Sequence, residues 1–231
     1  MTNLEKRILT SLIVLPLSVF FVVKGSYLLT FFLIFILFAG FHELFSVFKK
    51  IKTILFLSLI LILSLFSIYF LRENAEPLLY LAIAVSISSD IGGYVFGKIF
   101  KWKKLTKISP KKTISGVFGS YFFSILILYI LFATNFFSYF TYIHENYYFF
   151  GQSNFISEQV PLKAFIITII FSTIAQIGDL TISYFKRLEK IKDAGKILPG
   201  HGGIFDRIDG LMFVVIVASI YYYFGSYYFG I

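Results

Sequence analysis

Cysteine is absent from this 231-residue chain, and histidine occurs only at His42, His144 and His201. Without a thiol there is no disulfide, no thiolate nucleophile and no Cys-ligated zinc or iron–sulfur cluster. The three histidines are far apart and none lies in an HExxH motif, which argues against a zinc hydrolase. Charge is scarce as well. Asp, Glu, Lys and Arg make up 14% of the chain, against roughly 25% in an average soluble domain. No sequence repeat, low-complexity linker or soluble-domain segment is visible.

What remains is apolar: 58% of residues are hydrophobic and the mean hydropathy is +0.85. A water-soluble domain has no means of covering that much apolar surface. A helix needs about 20 apolar residues to cross the hydrocarbon core. Seven runs come close, at 8–23, 27–45, 54–71, 78–97, 116–138, 162–185 and 211–229. The chain therefore reads as an all-α, polytopic integral membrane protein with about seven transmembrane helices. The first run follows Lys6-Arg7 but precedes no small-x-small cleavage site, so it is expected to be a retained span. Only Lys24-Gly25-Ser26 separates it from the second, as in a tight helical hairpin or a re-entrant pair. Residues 1–75 form the N-terminal helices. Residues 76–231 are expected to form a second region, with cytoplasmic loops 98–115 and 186–210.

The net charge is +9, from 21 Lys and Arg against 12 Asp and Glu. With the N-terminus inside, eighteen of the basic residues fall on inside segments, leaving Lys24, Arg72 and Lys163 outside. That asymmetry predicts an N-inside, C-outside topology. Clusters of Tyr and Phe at 142–150 and 221–228 fall near the expected outer interface, where amphipathic rings sit well. A basic chain can point to nucleic acid. Here the lysines lie between apolar runs, so phosphates of lipids or nucleotides are the expected targets and no nucleic-acid partner is expected.

All five aspartates (Asp90, Asp179, Asp193, Asp206 and Asp209) lie in, or just membrane-ward of, the two long inside loops. A carboxylate inside a span costs at least about 2.5 kcal/mol on insertion scales. Either Asp90 or Asp179 alone is equally well explained by a buried ion pair. Two at matching depth, each leading into a lysine-rich loop, favour a functional polar site. Gln176, Asp179, Ser183 and Lys186 share one helix face, and so do Ser86, Asp90, Gly93 and Gly97. The small residues of the second stripe admit another helix or a ligand.

Loop 98–115 contains Ser109-Pro110-Lys111-Lys112-Thr113, whose hydroxyls and amides at a helix entrance can hold an anion. The plain alternative, a basic loop touching anionic lipid, explains the lysines better than the hydroxyls. Loop 186–210 contains Gly195, Gly200, Gly202 and Gly203, which allow close approach to a ligand. Asp206 and Asp209, three apart, can point the same way on a helical turn, although acids also favour any helix N-terminus. Carboxylates among lysines around a polyphosphate suggest Mg²⁺.

Residues 183–209 supply Ser183, Lys186, Arg187, Lys192, Asp193, Gly195, Pro199, His201, Gly202, Gly203, Asp206, Arg207 and Asp209 without a gap. This pattern resembles the signature of the phosphatidate cytidylyltransferase (CDP-diacylglycerol synthase) family. Gly178-Asp179-Leu180 and the stretch from Asp90 to Gly97, followed by Ile108 to Thr113, are similar to it too. The likeness covers about 85–120 and 175–212. One departure is Ile114-Ser115-Gly116, where many members have Trp-Glu-Gly; the chain also looks shorter than many members.

The resemblance implies transfer of the cytidylyl group of CTP to phosphatidic acid, releasing pyrophosphate, at a bacterial inner membrane with the site facing the cytoplasm. It also implies a homodimer. On it, Asp179, Asp206 and Asp209 are the candidates to hold one or two Mg²⁺. Lys111, Lys112, Lys186, Arg187 and Arg207 would supply positive charge. Lys192, Asp193 and His201 would shape the loop or touch nucleotide, with a base role for His201 the weaker alternative. Asp90 would orient a lysine or a metal-bound water. Ser109, Thr113, Ser183, Gly202 and Gly203 complete the substrate-binding set. Three rivals stand beside this reading. They are a related enzyme for another lipid acceptor, an ion-coupled transporter with intramembrane acids, and an inactive homologue.

Overall fold

The computed structural model describes residues 3–106, 108–110, 112–134, 136, 162–195, 197 and 202–229. It contains seven helices among these residues: α1 (Asn3–Lys24), α2 (Ser26–Val47), α3 (Ile51–Asn74), α4 (Glu76–Phe100), α5 (Ile114–Ala133), α6 (Leu162–Leu188) and α7 (Phe205–Phe229). Each coincides with one of the seven predicted apolar runs, although α5 ends at Ala133, short of the predicted 138. Six of them, α2 to α7, are long and apolar enough to cross a membrane; in α1 the apolar stretch described is the shorter Leu12–Lys24. No strand forms among the described residues beyond an isolated bridge between Lys104 and Thr113. The protein is a polytopic, all-α integral membrane protein. The predicted fifth run extended to 138, of which 135, 137 and 138 lie outside the described residues.

Most helix boundaries lie a few residues outside the apolar runs. Polar residues continue a helix at no cost once it reaches the interface, so hydropathy underestimates its length. The consequence for the site is that Lys186 and Arg187 belong to the last turn of α6, and Asp206 and Asp209 to the first turns of α7. The α1–α2 junction is a tight hairpin: Gly25 takes φ 63°, and Phe21 and Phe32 stack across it at 4.8 Å. Arg72 on α3 holds it closed, donating to the carbonyls of Val22 (2.8 Å) and Val23 (2.9 Å) and pairing with Glu76 at 3.0 Å.

The closest helix pair is α4 with α5. Gly92 and Gly119 abut so tightly that a Cβ on either would collide with the other's carbonyl. Small residues let membrane helices approach in this way, because lipid supplies no hydrophobic drive for them to associate. Hydroxyls stitch the bundle further: Ser120 donates to the Ser89 carbonyl at 2.7 Å, Ser89 and Ser172 meet at 3.2 Å, and Tyr121 meets Thr173 at 3.0 Å. Such interhelical bonds average about 0.6 kcal/mol each. Apolar cores join α3, α4, α6 and α7 on one side and α2, α3, α6 and α7 on the other. The helices of 1–75 therefore pack directly on those that carry the polar residues.

Candidate functional site

The loop after α4 turns at Lys101, which adopts the left-handed conformation at φ 51°. It then folds back on itself: Leu105 donates to the Lys112 carbonyl at 2.8 Å and Ile114 to that of Lys103 at 3.0 Å. The Thr113 hydroxyl caps α5 by accepting from the Gly116 amide at 3.1 Å and meets the Ser115 hydroxyl at 3.0 Å. Ser115, one of the two residues replacing the usual Trp-Glu, is buried at this cap. The fold-back directs Lys112 inward, where its Nζ reaches Asp179 Oδ2 at 2.6 Å and the Gln176 carbonyl at 3.2 Å. Ser109 lies in the same turn, half-buried, accepting from the Lys112 amide at 3.0 Å.

The helical stripe read from spacing on α6 is real. Ser183 donates to Asp179 Oδ1 at 3.3 Å, one turn away. A further turn on, buried Lys186 pairs with Asp206 Oδ1 at 2.6 Å. The end of α6 is a Schellman motif, with Lys190 left-handed at φ 58° and Ile191 donating to the Lys186 carbonyl at 3.0 Å. Arg187 donates to the carbonyls of Ile191 (2.9 Å) and Ile108 (3.4 Å), so it ties the two loops together. Lys192 and Asp193 are exposed on the loop surface.

The two acids at the start of α7 go to different places. Asp206 turns back into the loop: besides Lys186, its Oδ2 accepts from the amides of Ala194 (2.7 Å) and Gly203 (3.1 Å). Gly202 makes this possible, with φ 87° and no room for a Cβ, which would lie 2.9 Å from Asp206 Oδ2. Asp209 instead points into the bundle. It is 9% exposed, accepts from the Gly210 amide at 2.9 Å, and interacts electrostatically with Asp179, Asp90 and Lys186. Asp90 on α4 in turn interacts electrostatically with Asp179, Lys112 and Arg207.

Asp90, Asp179 and Asp209, on three helices, therefore interact electrostatically with one another and with Lys112, Lys186 and Arg207. Among the described residues no three acids or histidines stand close enough to enclose a cation by themselves. Predicted Lys111 and His201 lie outside the described residues. On α4, Gly93 and Gly97 admit α5 rather than a ligand: a Cβ there would lie 2.9 Å from Ser120 Oγ and 3.0 Å from Thr113 Oγ1 respectively.

Asp90 and Arg207 also mark the polar end of a cavity of about 440 Å³ between α1, α2, α3, α4 and α7. The rest of its wall is mainly apolar, including Val22, Leu33, Leu65, Ile83 and Leu211. A cavity with one apolar body and one charged end suits an amphiphile.

One residue escaped the sequence reading. Glu43 on α2 is 1% exposed, and its carboxylate accepts from the amides of Ile204 and Phe205. The cost argument applied to Asp90 and Asp179 applies equally to an acid inside the run 27–45, and it would have found Glu43.

Residues 50–225 match the cytidylyltransferase family. A phosphatidate cytidylyltransferase of Rickettsia conorii is 34% identical over 221 residues, covering 94% of this chain and 90% of that protein. One from Staphylococcus epidermidis is 37% identical over 155 residues, covering 66% of this chain and 52% of that protein. One from Rickettsia typhi is 39% identical over 153 residues, covering 65% of this chain and 59% of that protein. The match to the staphylococcal relative therefore spans about half of its length.

Proposed function

The chain belongs to the cytidylyltransferase family, and on that premise we propose that it transfers the cytidylyl group of CTP to phosphatidic acid. A phosphate oxygen of the lipid attacks the α-phosphorus of CTP. The bond from that phosphorus to the β-phosphate bridging oxygen breaks, giving CDP-diacylglycerol and pyrophosphate. The observation that carries this reading is that Asp90 and Arg207, which line an otherwise mainly apolar cavity, interact electrostatically with each other, and Asp90 also with Asp179 and Lys112. Neither a plain ion pair nor a midplane ion relay calls for that combination.

The chemistry asks little of a general base, because a phosphate monoester is already largely ionised at neutral pH. The obstacle is repulsion between two polyanions, so the protein's task is neutralisation and alignment. Arg207, at the cavity mouth beside Asp90, suits the lipid phosphate, with the acyl chains along the apolar wall. Lys112 and Lys186, delivered by the two loops, suit the triphosphate. Each now pairs with an aspartate and would exchange part of that pairing for substrate oxygen.

The donor set fits Mg²⁺, which takes hard oxygen ligands and usually binds through one or two carboxylates completed by substrate phosphates. Asp179 and Asp209, with Asp90 beside them, are the proposed holders. Asp206 would join only by releasing Lys186 and two loop amides. The cation, when bound, would stabilise charge developing on the leaving pyrophosphate.

The charge distribution supports an N-inside, C-outside orientation with the site facing the cytoplasm, and the bacterial relatives support a place in a bacterial inner membrane. Family resemblance supports a homodimer. Purified protein given Mg²⁺, labelled CTP and phosphatidic acid tests the activity directly. Labelled CDP-diacylglycerol is the expected product. A related enzyme would label a different lipid acceptor and leave phosphatidic acid untouched.

A further inference from the structure

Glu43 precedes residues 50–225, which match the cytidylyltransferase family, yet it reaches the loop that carries the candidate site. Its Oε2 accepts from Ile204 N at 2.8 Å and Phe205 N at 3.3 Å, and its Oε1 from Ile204 N at 3.0 Å. These are the amides that open α7. Gly195 and Gly203 let the loop close over the carboxylate: a Cβ on Gly195 would collide with it, and one on Gly203 would lie 2.7 Å from Oε2. Seven residues on, at the entrance of α3, Lys50 holds the other end of the same loop. Its Nζ donates to the Leu188 carbonyl at 2.9 Å and its amide to Glu189 Oε1 at 2.9 Å. The α2–α3 corner therefore grips the 189–204 loop at both ends.

An acid buried in a span is costly unless its oxygens are satisfied. Here they are satisfied by the amide donors at a helix N-terminus, where an anion is favoured. We propose that Glu43 is a positioning residue for nucleotide binding. It occupies the anion position at the start of α7 and fixes the loop against α2. That leaves Lys186, held by Asp206, and Arg207 set for the substrates. Filling this position internally also keeps a substrate phosphate from binding there unproductively. The kinetic half of this inference rests on the cytidylyl-transfer reading; the structural half does not.

The test uses the full chain in detergent with Mg²⁺, CTP and phosphatidic acid, comparing Glu43→Ala and Glu43→Gln with the parent. Glu43→Ala should raise the KM for CTP about tenfold, a magnitude typical of a misplaced binding group, with the KM for phosphatidic acid little changed. Glu43→Gln keeps a carbonyl acceptor for the two amides and should restore much of that loss. Hydrogen exchange of the 194–205 peptide should be faster in Glu43→Ala and close to the parent in Glu43→Gln. Unchanged CTP kinetics, or a loss shared equally by both substrates and tracking only the folded fraction, would overturn the assignment. Unchanged exchange would overturn it even if the parent proved to act on other substrates. An inactive parent with faster exchange in Glu43→Ala would sink the transfer reading while leaving the loop-positioning role standing.

Discussion

Lys112 Nζ sits 2.6 Å from Asp179 Oδ2, joining the loop after α4 to the middle of the α6 polar stripe. The pair brings a loop lysine to a carboxylate within a span, and both act electrostatically on Asp90. Lys112→Ala should therefore remove the lysine paired with Asp179 and one of the two cations that act on Asp90. We expect transfer to fall by about a hundredfold, the scale of losing one charge-stabilising group in a reaction of this kind. Steady-state assays of Lys112→Ala and Lys112→Arg check this, with Arg expected to retain more activity.

Asp206 and Asp209 should separate by phenotype. Asp206→Ala strands buried Lys186 and frees two loop amides. Breaking a buried pair costs about 3–5 kcal/mol, so its melting temperature in detergent should drop clearly. Asp209→Asn is nearly isosteric and should lose turnover with little change in melting.

The cavity makes a prediction about acyl chains. Leu211→Trp would place a larger side chain in its apolar wall. Activity on long-chain phosphatidic acid should fall about tenfold or more relative to a short-chain analogue, the range seen when an apolar pocket is mismatched. Equal loss on both acceptors would place the acyl chains elsewhere.

Much of this arrangement was legible in the sequence, for identifiable reasons. Hydropathy locates spans because the bilayer demands long apolar runs, and all seven runs became helices. The spacing of Asp179, Ser183 and Lys186 placed them on one face because a continuous helix preserves periodicity. Periodicity fails where the chain leaves the helix. Asp206 and Asp209 are three apart, but the first faces a loop that folds back over it and the second faces the bundle. Thr113 reads as an anion ligand from composition, whereas its hydroxyl caps α5. Gly93 and Gly97 admit α5 because the nearest neighbour was another helix, a fact of tertiary packing that spacing does not encode. Glu43 contacts residues more than 150 positions away, beyond the reach of any local pattern.

Helix packing between α4 and α5 supplies a stability prediction. Gly119→Leu would force a side chain into the Gly92 carbonyl. Overpacking typically costs about 1–3 kcal/mol, and separating α4 from α5 should also displace Lys112. Melting temperature and transfer should fall together, whereas Gly225→Leu, at a position with open space around it, should change neither.

The most direct test of the central claim is formation of labelled CDP-diacylglycerol from labelled CTP and phosphatidic acid by the purified protein with Mg²⁺, run beside Asp179→Ala. The account predicts labelled product for the parent and none above background for a variant that still elutes as folded protein. No labelled lipid from the parent with any phospholipid acceptor, or full activity in Asp179→Ala, would contradict it.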